Sequence, residues 1–120
     1  MSPTYQLPLF QATYKFYLSW HLHCQSMPKK DRFTIGQKTE NLLLEILTLV
    51  VTAYNTKENL TKKELLTQAN TALECVKILI RLTKDIKALE MRWYIEYEGQ
   101  LQEIGKMLGG WLTSLYKINR

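Results

Sequence analysis

Thr83-Lys84-Asp85-Ile86-Lys87-Ala88-Leu89-Glu90 decides how the second half of this 120-residue chain folds. Strongly periodic apolar runs flank it. Upstream, Leu66, Ala69, Leu73, Val76 and Ile80 recur at spacings of three and four; downstream, Tyr94, Tyr97, Leu101, Ile104, Leu108, Trp111 and Leu115 do the same. Such spacing marks one buried face of a helix. The two frames are in phase, and no glycine or proline falls between Asn55 and Gly99. One long rod would satisfy the pattern. However, the seam positions between the runs hold Thr83, Lys87 and Glu90. Three successive polar residues there argue for a break near 85–89, and a solvated rod of that length lies far outside ordinary helix lengths. The stretch therefore reads as a turn between two helices, at about 61–84 and 90–117. Thr61 and Glu64 have the T-x-x-E spacing of a capping box, with Leu60 and Leu65 at the staple positions, so Thr61 is expected to open the third helix.

Two further helices precede these. Pro8 suits a first helical turn, and Leu7, Phe10, Tyr14, Tyr17 and His21 form a stripe, with Phe16 and Trp20 beside it; this helix is placed at about 7–25. Pro28 separates it from the second, because a proline disfavours helical backbone at the residue before it. The second helix is placed at about 30–55. Its start is left open between Pro28 and Asp31, since Thr34 and Gln37 also have capping-box spacing. Ile35, Leu42, Ile46, Leu49 and Ala53 line its face, and Asn55 suits a left-handed cap. Short connections make sequential helices antiparallel. The expectation is one all-α domain over residues 1–120, an up-down-up-down four-helix bundle.

Composition agrees. Apolar types make up 46% and charged types 22% of the chain, and there are only five glycines and three prolines to make turns. The longest apolar stretch, 42–53, is interrupted by Glu45, Thr48 and Thr52 and is too short to span a membrane. The N-terminus shows no basic and then apolar leader, and the two cysteines, Cys24 and Cys75, form no C-x-x-C pair. A cytoplasmic protein with reduced thiols and no membrane partner is expected.

No catalytic motif is present, and neither cofactor nor metal is expected. His21, His23 and Cys24 are the one cluster of ligand types. On a helix the two histidines point about 200° apart, and a tetrahedral site needs three or four ligands. The cations are better organised. Lys77, Arg81 and Lys84 form a row along helix three, Lys87 and Arg92 extend it, and Lys29, Lys30 and Arg32 make a second group in the first connection. With a net charge of +5, such rows can neutralise phosphates or remain solvated faces. No aromatic is interleaved with the row in sequence, so base stacking is not expected there. In helix four, Gly105, Gly109 and Gly110 each cost about 1 kcal/mol relative to alanine. They suggest close packing, inside the bundle or between subunits, with Trp111 as a buried anchor. Leucine at Gly109 is expected to clash.

Met27-Pro28-Lys29-Lys30-Asp31-Arg32-Phe33-Thr34-Ile35-Gly36 and Ile104-Gly105-Lys106-Met107-Leu108-Gly109-Gly110-Trp111 resemble the second-helix start and the last helix of the accessory variability determinant family of diversity-generating retroelements. Its wider relatives are the bundle proteins of ribosomal RNA intervening sequences. The likeness runs from about Leu7 to Lys117. It implies a four-helix bundle assembling into a ring-like homopentamer, which binds the element's reverse transcriptase and template RNA. It also implies a role without catalysis in mutagenic cDNA synthesis. On this sequence, the implied docking surface is the Lys77, Arg81, Lys84 row with its neighbours. The alternative is a stand-alone bundle of the intervening-sequence type with a structural or scaffold role.

Overall fold

The computed structural model describes residues 3–118, and among them every regular element is helical. A 3-10 turn, Pro3–Gln6, leads into α1, Pro8–Gln25. Helix α2 spans 29–54 in three parts: a turn at Lys29–Asp31, a π-helical segment at Arg32–Gly36, and regular α-helix over Gln37–Tyr54. Helix α3 is Asn59–Asp85 and α4 is Met91–Ile118. The bundle measures 48 × 28 × 20 Å.

Neighbouring helices run antiparallel, as specific contacts show. The Trp20 indole Nε1 donates to the Gly36 carbonyl at 3.1 Å, joining the end of α1 to the start of α2. The Ser19 and Tyr97 hydroxyls lie 2.8 Å apart, and the Phe16 and Tyr97 rings 5.0 Å apart, joining α1 to the start of α4. Lys84 lies over the Tyr94 ring, and Lys63 over the Tyr116 ring, tying the opposite ends of α3 and α4. Phe16, Trp20, Leu43, Ile46, Leu66, Ile104 and Leu108 are almost wholly removed from water. Each such side chain contributes about 1.5–3 kcal/mol of burial.

The break at 85–89 exists, and its chemistry is specific. The Lys87 N–H donates to the Lys84 carbonyl at 2.9 Å and the Ala88 N–H to the Thr83 carbonyl at 3.0 Å. Lys87 has φ 67°. These paired bonds around a left-handed residue form a Schellman motif that satisfies the last carbonyls of α3. The left-handed position is held here by lysine, where glycine is usual. Leu89, 3% exposed, then anchors the chain before it enters α4.

Four local readings are corrected. In α1 the buried face is Leu9, Phe10, Thr13, Phe16, Trp20 and Cys24; Tyr14 and His21 are exposed and Tyr17 is half-buried. Thr13 sits in the core because its hydroxyl donates to the Leu9 carbonyl at 2.8 Å, and Thr39 and Thr83 do the same to Ile35 and Leu79. Back-bonding lets a threonine be buried without an orphaned hydroxyl. At the start of α3, Glu58 holds the cap position without a side-chain cap bond. The Thr61 hydroxyl donates instead to the Glu58 carboxylate at 2.8 Å, and Leu60 is exposed, so neither box nor staple forms. In α2, Thr34 bonds back to the Lys30 carbonyl and does not cap a helix start. Asn55 has φ −91° and ψ 3°, not left-handed, and its side-chain amide donates to the Val51 carbonyl at 2.9 Å.

Candidate nucleic-acid interface

Antiparallel order brings the two basic groups to one end of the bundle. The α1–α2 connection and the α3–α4 turn are adjacent there, and the His23 Nε2–H donates to the Ala88 carbonyl at 3.2 Å across the gap. Lys29, Lys30, Arg32, Lys84, Lys87 and Arg92 surround this end, against three carboxylates in the same segments, Asp31, Asp85 and Glu90, a net of +3. Lys29, Lys30 and Lys87 are exposed and make no ion pair among the described residues. Lys84 pairs with Asp85 at 3.2 Å, and Arg92 lies 3.7 Å from Glu90. Exposed pairs of this kind stabilise by at most about 1 kcal/mol, so they partly neutralise the surface without locking it.

The row along α3 is less bare than its spacing suggests. Lys77 is half-buried and pairs with Glu74 at 3.1 Å. Arg81 is exposed. Both border a groove of about 270 Å³ between α3 and α4, whose other walls include Tyr94, Glu98 and Gln102. The Tyr94 phenol is pushed above its usual range, first by burial and then by a hydrogen bond to Glu98, while Lys84 and Arg81 pull the other way.

Three of these cations lie over aromatic rings. The Lys84 ammonium lies 4.5 Å from the Tyr94 ring centre. The Arg92 guanidinium lies 5.4 Å from the centre of Trp93, and that of Arg32 4.9 Å from Phe33. The Arg32 Nε is buried and has no hydrogen-bond partner. Trp93 and Tyr94 are half-buried against the core, as the stripe through Tyr94 implies, and of the three rings only Phe33 is exposed. The adjacencies Arg32-Phe33 and Arg92-Trp93 were the available signal for two of these pairs.

The glycine strip has no packing role within the chain at two of its three positions. A Cβ on Gly109 or Gly110 would meet nothing within 4 Å, so an added methyl there has no neighbour in this chain to clash with. A Cβ on Gly105 would meet Lys77 Nζ at 3.5 Å and Leu73 Cδ2 at 3.6 Å, ordinary contact distances. Trp111 is half-buried, not an enclosed anchor, and lines an apolar cleft of about 450 Å³ with Leu7, Leu9, Tyr54 and Met107.

His21 is engaged by Glu40 across the α1–α2 groove, and among the described residues no group of three ligand types converges on one point. Burial, with Glu40 adding, pushes the Cys24 thiol up to about 12, which keeps it protonated and unreactive. Cys75 is free and exposed. Among the described residues no helix is long and apolar enough to cross a membrane.

No curated protein matches the sequence. A family model described as bAvd-like matches residues 8–115. That span runs from the first residue of α1 to the core residue Leu115 and takes in both motif stretches, 27–36 and 104–111. The chain belongs to the bAvd-like family.

Proposed function

We propose that this chain is a non-catalytic accessory protein of a diversity-generating retroelement. In this reading it works in the cytoplasm, self-associates into a ring of five subunits, docks on the reverse transcriptase and holds template RNA on its basic surface, supporting mutagenic cDNA synthesis. The family match over residues 8–115 carries the proposal. The gathering of two basic groups at one end supports a polyanion partner, because convergent cations raise the local potential and attract phosphates. Five chains of net charge +5 give a ring of about +25, which strengthens that steering.

Self-association is supported by the α1–α2 face. There Tyr14, Leu18 and Leu44 are 49%, 47% and 43% exposed, and the half-buried Tyr17, Leu47 and Val51 continue the apolar surface. A ring needs two different complementary patches on each subunit, and this face supplies a candidate for one.

The test is co-expression with the reverse transcriptase of a diversity-generating retroelement, followed by affinity capture and measurement of mass in solution. Salt-sensitive co-capture of the enzyme and a mass near five chains are expected. Arg81→Glu combined with Lys77→Glu should keep helical content and weaken capture. A monomer that captures no transcriptase would favour the stand-alone bundle of the intervening-sequence type.

A further inference from the structure

The basic end carries a feature that charge alone does not require. Phe33 is 62% exposed, sits in the π-helical segment of α2, and has the Arg32 guanidinium 4.9 Å from its ring centre. Trp93 and Tyr94, both half-buried, each carry a cation over the ring at the start of α4. Of the three rings only Phe33 stands open, on α2, while Trp93 and Tyr94 lie against the core on α4; Lys29, Lys30 and Lys87, with no ion pair among the described residues, complete the rim. A surface that only neutralises phosphate needs no rings. A flat ring beside a cation matches the two parts of a nucleotide: the base stacks on the ring and the phosphate meets the charge. A duplex cannot use such rings, because its bases are already stacked on one another.

We propose that this end of the bundle binds an unpaired segment of polynucleotide, with a base stacked on the exposed Phe33 ring and phosphates on Lys29, Lys30 and Lys87. The inference rests on the nucleic-acid reading given above and narrows it from any polyanion to single strands. Stacking does not read the ribose 2′-hydroxyl, so RNA and DNA single strands are both ligands.

The experiment measures binding of the full chain to a labelled single-stranded RNA of about 12 nucleotides, within the range of a small single-strand site. The same sequence as single-stranded DNA and as an RNA duplex provides the comparison, each across a salt series. The single strands are expected to bind within a few-fold of each other and more tightly than the duplex. Phe33→Ala should weaken single-strand binding about 5- to 150-fold, the loss of one stacked base, and leave the duplex unaffected. Phe33→Trp should restore it. Because Phe33 is exposed, both variants should keep the wild-type melting temperature. Lys29→Gln, Lys30→Gln and Lys87→Gln together should weaken all three ligands and flatten the single-strand salt dependence by a log–log slope of about 2.

Equal affinity for single strand and duplex with no effect of Phe33→Ala overturns the stacking inference and leaves charge-based binding standing. Loss of reverse transcriptase capture by Phe33→Ala, with RNA affinity unchanged, assigns the rim to a protein partner and also overturns it. No binding of any nucleic acid at low salt removes the broader reading with it.

Discussion

Between α3 and α4 the chain reverses direction without a glycine; inside α4 it carries three glycines within 105–110 and remains helical. Local preference alone would predict the reverse. Lysine in the left-handed region is disfavoured by contact between Cβ and the following carbonyl, yet Lys87 sits there at φ 67°. The paired bonds to Thr83 and Lys84, and the burial of Leu89 just beyond, hold it. Glycine in a helix interior is disfavoured by backbone entropy, yet 105–110 stays in register because Ile104 and Leu108, 1% and 0% exposed, pin the same turns to the core. In both regions burial on the neighbouring residues outweighs a local cost of about 1 kcal/mol per residue.

The largest expected effect tests that account at the glycines. Leu108→Ala should destabilise the chain by about 2–5 kcal/mol, the usual loss for a buried leucine, read from chemical denaturation. It should also fray the end of α4, seen as faster amide exchange over 109–117. A loss under about 1 kcal/mol would mean that the core does not hold the glycine segment.

The next effect concerns the glycines themselves. Since nothing lies within 4 Å of a Cβ on Gly109 or Gly110, Gly109→Ala and Gly110→Ala should each raise the stability of the isolated subunit by about 1 kcal/mol. Solution mass measured on the same variants sharpens the comparison. Higher subunit stability with a reduced assembly mass would place the strip at a subunit contact, where the added methyls clash with a second copy. Unchanged mass would leave the glycines without a packing role.

Lys87→Gly should raise stability by about 0.5–1 kcal/mol, a little less than the helical substitutions. Glycine relieves the left-handed strain but also loosens the unfolded chain. A loss of stability would mean that the lysine stem makes a contact outweighing its backbone strain.

The helix count and the ends of all four helices to within two residues were legible, because long apolar stripes separated by polar seams leave few alternatives. The stripes of α3 and α4 were legible for the same reason. The α1 face was not. Its rings at 14, 17 and 21 repeat with the same period as the buried positions 9, 13, 16, 20 and 24. Thr13 disguised the true stripe, since a self-bonded threonine looks polar in sequence and packs as an apolar residue. The π-helical segment at 32–36 left no readable signal either. For the candidate site, the cations were legible as groups. Their convergence at one end followed only from the antiparallel order, and although Phe33 adjoins Arg32 in sequence, its exposure emerged only with the packing.

The smallest expected effect separates a motif from its structure in the same way. Thr61 and Glu64 have capping-box spacing, and a true box would make Thr61→Ala cost about 1 kcal/mol. The helix starts two residues earlier, at Asn59, and the Thr61 hydroxyl bonds only to the Glu58 carboxylate at the surface. An exposed hydrogen bond that water can replace contributes little. Thr61→Ala should therefore cost less than about 0.5 kcal/mol in thermal denaturation. A full cap-sized loss would mean that the hydroxyl serves the backbone of α3 in solution, and that the sequence motif outranks the geometry at this helix start even though local signals yield to burial at the turn and the glycines.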